Sequence, residues 1–524
     1  MKKSFSSIIK IIKNNIIHTK SDKLFIKHNY SLWSESQVKN PKSVILTDFY
    51  GLREHFIMSS YFLNIFAKKN SSKIVVFSLK PTFWKRVFVN LYKSINVSEY
   101  LILNKHQTND SNKVANNIFI QLKSKNDLIE LEYKSVTIGI DIYETYLRTF
   151  NEPTVNIKDS RLLKLIEQTI SYVDFFLNYF EKNKVSACVL SHDCYIPYNV
   201  VAKIAYNLNI PVYLPNSRGL NLVSRQFDLY DYFKSFREIF QTFSKEKQKI
   251  AMNMTKNRLE KRFSGEVGVD MYYSTKSAFH NSNLGYRIVK DNNKTKILIL
   301  THDFFDNPHA YNKFLFPDFY EWLKFLIKIA RETDYDWYVK SHPDTSDETI
   351  KIVNELFQSN PKFTIVPLAT SHFQLVNEGI DYALTGHGTV GHEYPLMGVD
   401  VINIAYNPHI AYSFNYHMKS LLEYEKILKN FKKFTIKINK DEIYECYYLL
   451  YYHTFSDDII FNSYRNVITK MKENIDDSYV YNLFLDEFNE EKHNKIMKKI
   501  NTFIDSKKKH FFELTEYIKD GESQ

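Results

Sequence analysis

Glycine is scarce in this chain and concentrated where it occurs: of 12 glycines in 524 residues, five lie at Gly379, Gly386, Gly388, Gly391 and Gly398. The cluster sits inside a regular pattern. A strand-like Asp381-Tyr382-Ala383-Leu384 leads into Thr385-Gly386-His387-Gly388-Thr389, a helix-like 390–397 follows, and a second short apolar run covers 399–404. Strand, glycine turn, helix, strand is an α/β unit, and it restricts the chain to folds assembled from such units. A turn of this kind presents backbone N–H groups and a helix start to a phosphate. An ordinary tight turn would use the same glycines, so the reading depends on the neighbouring segments.

Those neighbours repeat the pattern. Residues 43–47, 73–78, 100–103, 185–190 and 211–214 are short apolar runs of strand type, and 52–68, 81–95, 160–183 and 197–208 are helix-like. Buried strands separated by helices imply βαβ units and a parallel sheet. The alternation lapses over a charged helical stretch at 243–262 and a polar one through Asn281, Asn283, Asn292 and Asn293. It resumes with strands at 297–300, 337–339 and 363–366 and helices at 317–332, 347–358 and 371–378. The length suits more than one core. The expected division is an N-terminal Rossmann-like domain over 1–290, a second over 291–420 and a helical C-terminal extension over 421–524. Two doubly wound α/β domains facing a cleft form the GT-B architecture, and in such sheets ligands sit at the carboxyl ends of the strands.

Composition removes several alternatives. No run approaches the length of a membrane-spanning helix, and the opening Met1-Lys2-Lys3-Ser4-Phe5 stretch lacks the apolar core of a signal peptide. A cytoplasmic location is therefore expected. Cys188, Cys194 and Cys446 form no C-x-x-C pair, which fits a reducing compartment and no structural zinc site. The formal charge of +11 favours anionic partners such as nucleotide diphosphates or an anionic membrane face. No nucleic-acid-binding motif is present, so nucleic acid is not expected as a partner.

The strand at 337–339 ends in Lys340-Ser341-His342-Pro343-Asp344. A lysine and a histidine at the carboxyl edge of a parallel strand are placed to meet a diphosphate; as structural residues they would be a solvated strand end and a capping ring. Taken together, KSHPD and the later TGHGTVGHEYPLMGV resemble the C-terminal domain of bacterial capsule and surface-polysaccharide glycosyltransferases, over roughly residues 296–410 and more loosely around Ser191-His192-Asp193-Cys194-Tyr195. Related motifs occur in Kdo and sialic-acid transferases and in teichoic-acid glycerophosphotransferases. The resemblance implies that Lys340 and His342 meet the donor phosphates or nucleobase, and that Gly386, Gly388, Thr389 and Val390 cradle the diphosphate. It gives Glu393 the ribose hydroxyls and His387 or His392 a bond to a leaving-group oxygen. Where many relatives carry a serine-rich turn, this chain has Gly-His-Gly-Thr.

Other candidates come from position. His302, in Thr301-His302-Asp303-Phe304-Phe305-Asp306-Asn307-Pro308-His309, follows the first strand of the second domain and is expected at the donor or acceptor. The spacing of these His and Asp residues fits no standard metal site, and Asp334-Tyr335-Asp336 precedes a strand where a metal-binding Asp-x-Asp would follow one. No metal or cofactor is expected beyond the nucleotide-sugar co-substrate. In an inverting transfer the first domain supplies a general base. Asp48, at the end of the first strand and close to Gly51, Arg53 and His55, is the first choice and His192 the second, with Asp141 and Glu144 as further options. Ile8, Ile9, Ile12 and Ile16 share one face of the N-terminal segment. With Lys498, Lys499, Lys507, Lys508 and Lys509 they suit peripheral contact with an anionic inner membrane, or simply solvated helix faces.

The expected function is transfer of a sugar from a nucleotide-sugar donor to a growing capsule or other surface glycan or glycolipid. A CDP-polyol phosphotransferase of teichoic-acid type on the same fold is one alternative. A non-catalytic glycan-binding or scaffold subunit of a polysaccharide assembly complex is another.

Overall fold

The computed structural model describes residues 16–49, 52–79, 86–103, 109–216, 219–267, 276–280, 284–434, 436–454, 459–471, 477–506 and 508–514. Ile8, Ile9, Ile12, Tyr50, Gly51, Asn281, Asn283 and Lys507 lie outside the described residues.

The first domain carries β1 (Ser43–Asp48), β2 (Ser72–Ser78), β3 (Val97–Ile102), a small hairpin of β4 (Glu132–Tyr133) and β5 (Val136–Thr137), then β6 (Val185–Val189), β7 (Val212–Asn216) and β8 (Gly219–Val223). Its six-stranded sheet runs β3-β2-β1-β6-β7-β8. All pairs are parallel except β7 with β8. The second sheet is built from β9 (Lys296–Leu300), β10 (Asp336–Lys340), β11 (Phe363–Ile365), β12 (Tyr382–Thr385), β13 (Asp400–Asn403) and β14 (Tyr416–His417). Its order, β11-β10-β9-β12-β13-β14, is the same winding, and every pair is parallel. Counted within each sheet both read 3-2-1-4-5-6, the doubly wound order. The expected two-domain α/β fold is the one observed.

Alternation along the strands explains why both faces close. In β1 the side chain of Ile45 joins the core containing helix Arg53–Asn70, while Val44 and Leu46 join the opposite core containing helix Ser160–Lys182. In β9, Ile297 and Ile299 face one core and Leu298 and Leu300 the other. Successive side chains of a strand point to opposite faces, so an unbroken apolar run fits only a strand covered on both sides. The helices are fixed at their starts. Asp318 accepts from the Glu321 N–H and Ser346 from the Thr349 N–H, satisfying donors that a helix leaves open.

Packing does not follow chain order at either end. Helix Lys245–Phe263 lies against the Lys440–Tyr448 helix, and Arg262 reaches into the second domain. The C-terminal helices Tyr479–Glu487 and Glu490–Asp505 return to the first domain, where Tyr481 stacks on Phe25 at 4.1 Å. Beyond them, the Leu222 N–H donates to the Lys509 carbonyl at 2.7 Å, adding chain to the β8 edge. Among the described residues, no helix is long and apolar enough to cross a membrane.

Candidate active site

In each sheet the chain leaves the central pair of strands in opposite directions, which opens a crevice at their carboxyl ends. In the first domain those strands are β1 and β6. Asp48 closes β1 and Ser191-His192 follow β6. The two Asp48 oxygens are both engaged by Ser191: Oδ1 accepts its N–H at 2.9 Å and Oδ2 its hydroxyl at 2.5 Å. The Ser191 Oγ in turn lies 2.8 Å from His192 Nδ1. Because the serine proton is directed at the carboxylate, the hydroxyl oxygen acts as acceptor towards the ring, which puts the imidazole proton on Nδ1. Burial pushes the Asp48 carboxyl up to about 6 against the opposing effect of Ser191. Burial, with Arg148 and His55 beside it, lowers His192 to about 4. A pocket of ≈ 300 Å³, open solvent at its mouth included, is lined by Asp48, His55, Tyr92, Ser191 and Pro215 among others. The loop beyond it holds Tyr195 at φ 62°, a left-handed conformation that a bulky residue adopts only under constraint.

In the second domain the central pair is β9 and β12, followed by Thr301-His302 and by the glycine turn. His302 Nε2 lies 3.2 Å from the Gly386 N–H, 3.4 Å from the His387 N–H and 3.2 Å from Thr385 Oγ1. The ring therefore supports the turn from beneath, with its proton on Nδ1. The Gly388 N–H goes to Thr385 Oγ1 at 3.3 Å. A Cβ at Gly386 would stand 3.1 Å from Phe319 and 3.2 Å from His302, a tight fit, and one at Gly391 would stand 2.6 Å from the His409 ring, which would have to move. Of the two histidines considered for the leaving group, His392 is buried and bonded to His409 Nε2 at 2.9 Å. The His387 ring lies 4.6 Å from the His302 ring, with Nε2 unpaired among the described residues; burial lowers it to about 4.

Lys340 ends β10 and is 1% exposed. Its ammonium donates to the Leu368 carbonyl at 3.1 Å and has no carboxylate partner among the described residues; burial lowers it to about 8. His342 opens to solvent at the rim, yet the walls around it desolvate the ring enough to lower its pKa. Its Nδ1 accepts the Asp344 N–H at 3.1 Å, which leaves the proton on Nε2. Glu393, also 1% exposed, is held by Arg262 Nε at 3.0 Å and by the Thr389 hydroxyl at 3.2 Å. Sequence reading missed Arg262, which lies 131 positions before its partner in a helix that looks merely charged.

The two crevices are linked. Arg148, which acts on His192, lies 3.9 Å from Asp306 of the second domain, and Asp306 acts on His387. Glu144 receives His309, with Nδ1 at 3.1 Å, and Asp318 accepts from Tyr143 and Thr154. Glu144 thus joins the domains, and Asp141 is buried against Lys203 and Asn199, both at 2.7 Å. The His302–His309 stretch splits between the turn and the interdomain contact. Asp334 pairs with Lys294, and Asp336 lies 2.8 Å from Asn292. Among the described residues, no group of three or more His, Cys, Asp or Glu could hold a metal ion.

No protein-family model matches the chain, and no curated protein does. Solved structures similar to it include the beta Kdo 2,4 transferase KpsC of Thermosulfurimonas dismutans, at 12% identity over 53% of this chain and 86% of that one, with a TM-score of 0.30. A glycosyltransferase from Rickettsia africae matches at 12% identity over 85% of this chain and 100% of its own, TM-score 0.25. The UDP-GlcNAc 2-epimerase of Neisseria meningitidis bound to UDP-GlcNAc matches at 12% over 78% and 98%, TM-score 0.22.

Proposed function

We propose that this chain is a glycosyltransferase that binds a nucleotide-sugar on the second domain and an acceptor hydroxyl at the first. The observation that carries the reading is Lys340: a buried ammonium at the carboxyl edge of a parallel sheet, facing a carbonyl and, among the described residues, no carboxylate. Burying a charge without a partner costs several kcal/mol, and an anionic ligand would offset that cost. His342, whose ring Lys340 acts on, presents its Nε2–H in the same crevice region, and His387 belongs to the turn, its Nε2 without a partner among the described residues. The Gly386, His387 and Gly388 N–H groups are already engaged. The donors proposed for the diphosphate are therefore those of Thr389 and Val390, at a helix start where such groups lack intrahelical partners. Glu393, expected at the ribose, is committed to Arg262 and Thr389, and its part in this reading is to hold both in place.

These cationic and N–H groups take the place of a divalent ion at the leaving group, so transfer is expected to continue in EDTA. A growing surface glycan or glycolipid as acceptor follows from the resemblance of KSHPD and the glycine turn to polysaccharide transferases. Thermal unfolding with UDP-, GDP-, CDP- and CMP-linked compounds tests the proposal. A nucleotide at about 100 times its Kd should stabilise the fold by about 2.7 kcal/mol, and Lys340→Met should abolish most of that gain. Absence of stabilisation by every nucleotide would reject the donor site. A response to CDP-glycerol with transfer of glycerol phosphate would instead support the phosphotransferase.

A further inference from the structure

We propose that His192 takes the acceptor proton and that Asp48 and Ser191 act through it as positioning residues, forming a carboxylate–hydroxyl–imidazole relay. This inference rests on the transferase reading and replaces Asp48 as the group that meets the acceptor. Asp48 is 2% exposed, and each of its oxygens accepts a hydrogen bond from Ser191. Both hydrogen bonds from Ser191 lower the basicity of this carboxylate. His192 follows Ser191 and is half-buried, and Arg148, which acts on it, lies 3.9 Å from Asp306 of the second domain.

The relay fixes a tautomer. Asp48 Oδ2 accepts the Ser191 O–H, so Ser191 Oγ accepts from His192 Nδ1–H, and the basic lone pair of the ring is on Nε2. A hydroxyl can accept from the ring and donate to the acid at once. In the transfer the acceptor O–H bond breaks and its proton passes to Nε2. The oxygen's electron pair forms the bond to the anomeric carbon, and the anomeric carbon–oxygen bond to the diphosphate breaks with its pair retained by the phosphate oxygen. The imidazolium so formed donates through Ser191 to the Asp48 carboxylate, which offsets its charge, and it later loses the proton to solvent. Among the described residues, groups facing the ring include Arg148 and His55, which disfavour its protonation, with Tyr195 and Tyr198 packed on it at 6.1 and 4.3 Å. A relay to a carboxylate is therefore what would let this ring hold a proton during turnover.

The relay also has a direction that pH can reverse. Asp48 titrates at about 6. Above that, hydrogen bonds run from ring to serine to carboxylate. Below it, the protonated acid can donate to Ser191, the serine to Nδ1, and the ring proton moves to Nε2, where it blocks proton uptake.

Long-range ¹H–¹⁵N spectra of the full chain carrying ¹⁵N-histidine, with His192→Gln used to assign the signal, read the tautomer without any donor or acceptor. The expected result at pH 7.5 is the Nδ1–H form in the wild type and in Ser191→Thr, and loss of that bias in Ser191→Ala. An Nε2–H ring in the wild type at that pH overturns the inference. In turnover assays, Ser191→Ala and Asp48→Asn should each lower kcat by roughly 10- to 100-fold with the donor KM unchanged, and Ser191→Thr should restore most of the rate. The acid limb near pH 6 should vanish in Asp48→Asn. A Ser191→Ala enzyme with wild-type kcat overturns the relay. A wild type that transfers from no donor rejects the transferase reading, and the tautomer spectra still decide the hydrogen-bond chain.

Discussion

The two crevices occupy the same position in two sheets of the same winding, yet their hydrogen bonds run in opposite senses. In the first, N–H and O–H donors converge on a buried carboxylate, and the imidazole belongs to a chain that ends in negative charge. In the second, an imidazole accepts backbone N–H groups, and the neighbouring buried charge is the ammonium of Lys340. The fold provides the position. In the function proposed, the two or three residues at each strand end decide whether that position takes a proton or holds an anion.

The sharpest way to break this contrast is a crossed pair of substitutions. His192→Ala should lower turnover by roughly 10²–10⁴, the range of a lost general base, with nucleotide binding unaltered. Lys340→Met should do the reverse at the first step, weakening nucleotide binding by about 1.5–3 kcal/mol, as for a lost charge-assisted hydrogen bond. Calorimetric titration and initial rates on the two variants separate the effects. If His192→Ala loses nucleotide affinity, or Lys340→Met keeps it, the division of labour between the crevices is wrong.

Much of the scaffold could be read from the chain because doubly covered strands are short unbroken apolar runs. Segments such as 43–47 and 297–300 match the observed strands closely. The β8 and β14 edge strands were not read, since Gly219–Val223 and Tyr416–His417 lack such a run and depend on what lies beside them. The same limit applies to the site. Asp48, His192, His302, Lys340 and the glycine turn were singled out because each ends or follows a strand. Their partners were not, because pairing Ser191 with Asp48 spans 143 positions and Arg262 with Glu393 spans 131, and no local periodicity encodes either. Position at a strand end is local information; which atom of a side chain is already occupied is not. For that reason Glu393 and the Gly386 N–H looked available to a ligand in the sequence and are engaged in the structure.

A smaller effect is expected from removing the support beneath the turn. His302→Ala would leave the Gly386 and His387 N–H groups without their acceptor in a buried setting, at a cost of about 1–3 kcal/mol. Chemical denaturation should record that loss together with weaker nucleotide binding, because the turn would no longer be held in one conformation. His302→Gln retains an acceptor and should recover part of both. Equal losses in the Ala and Gln variants would mean that the ring serves by its stacking on Phe319, 4.8 Å away, and not by accepting from the turn.

The smallest effect tests the negative end of the comparison. Asp48 has a folded pKa of about 6 against a reference of 3.8, raised by burial. The folded state therefore keeps a proton that the unfolded chain has already released, and this group's contribution to stability declines as pH rises from about 4 to about 6, then levels off. Between pH 5 and pH 8 the remaining window is about one pH unit, worth about 1 kcal/mol. Asp48→Asn removes the titration and keeps the shape, so the stability difference, variant minus wild type, should grow in the variant's favour by about that amount from pH 5 to pH 8. Taking the difference cancels the buried carboxylates common to both proteins, Asp141, Glu144 and Asp318 among them. A difference unchanged with pH would mean that Asp48 is ionised across the whole range with no burial cost, and the first crevice would then lack the titration that sets the direction of its relay.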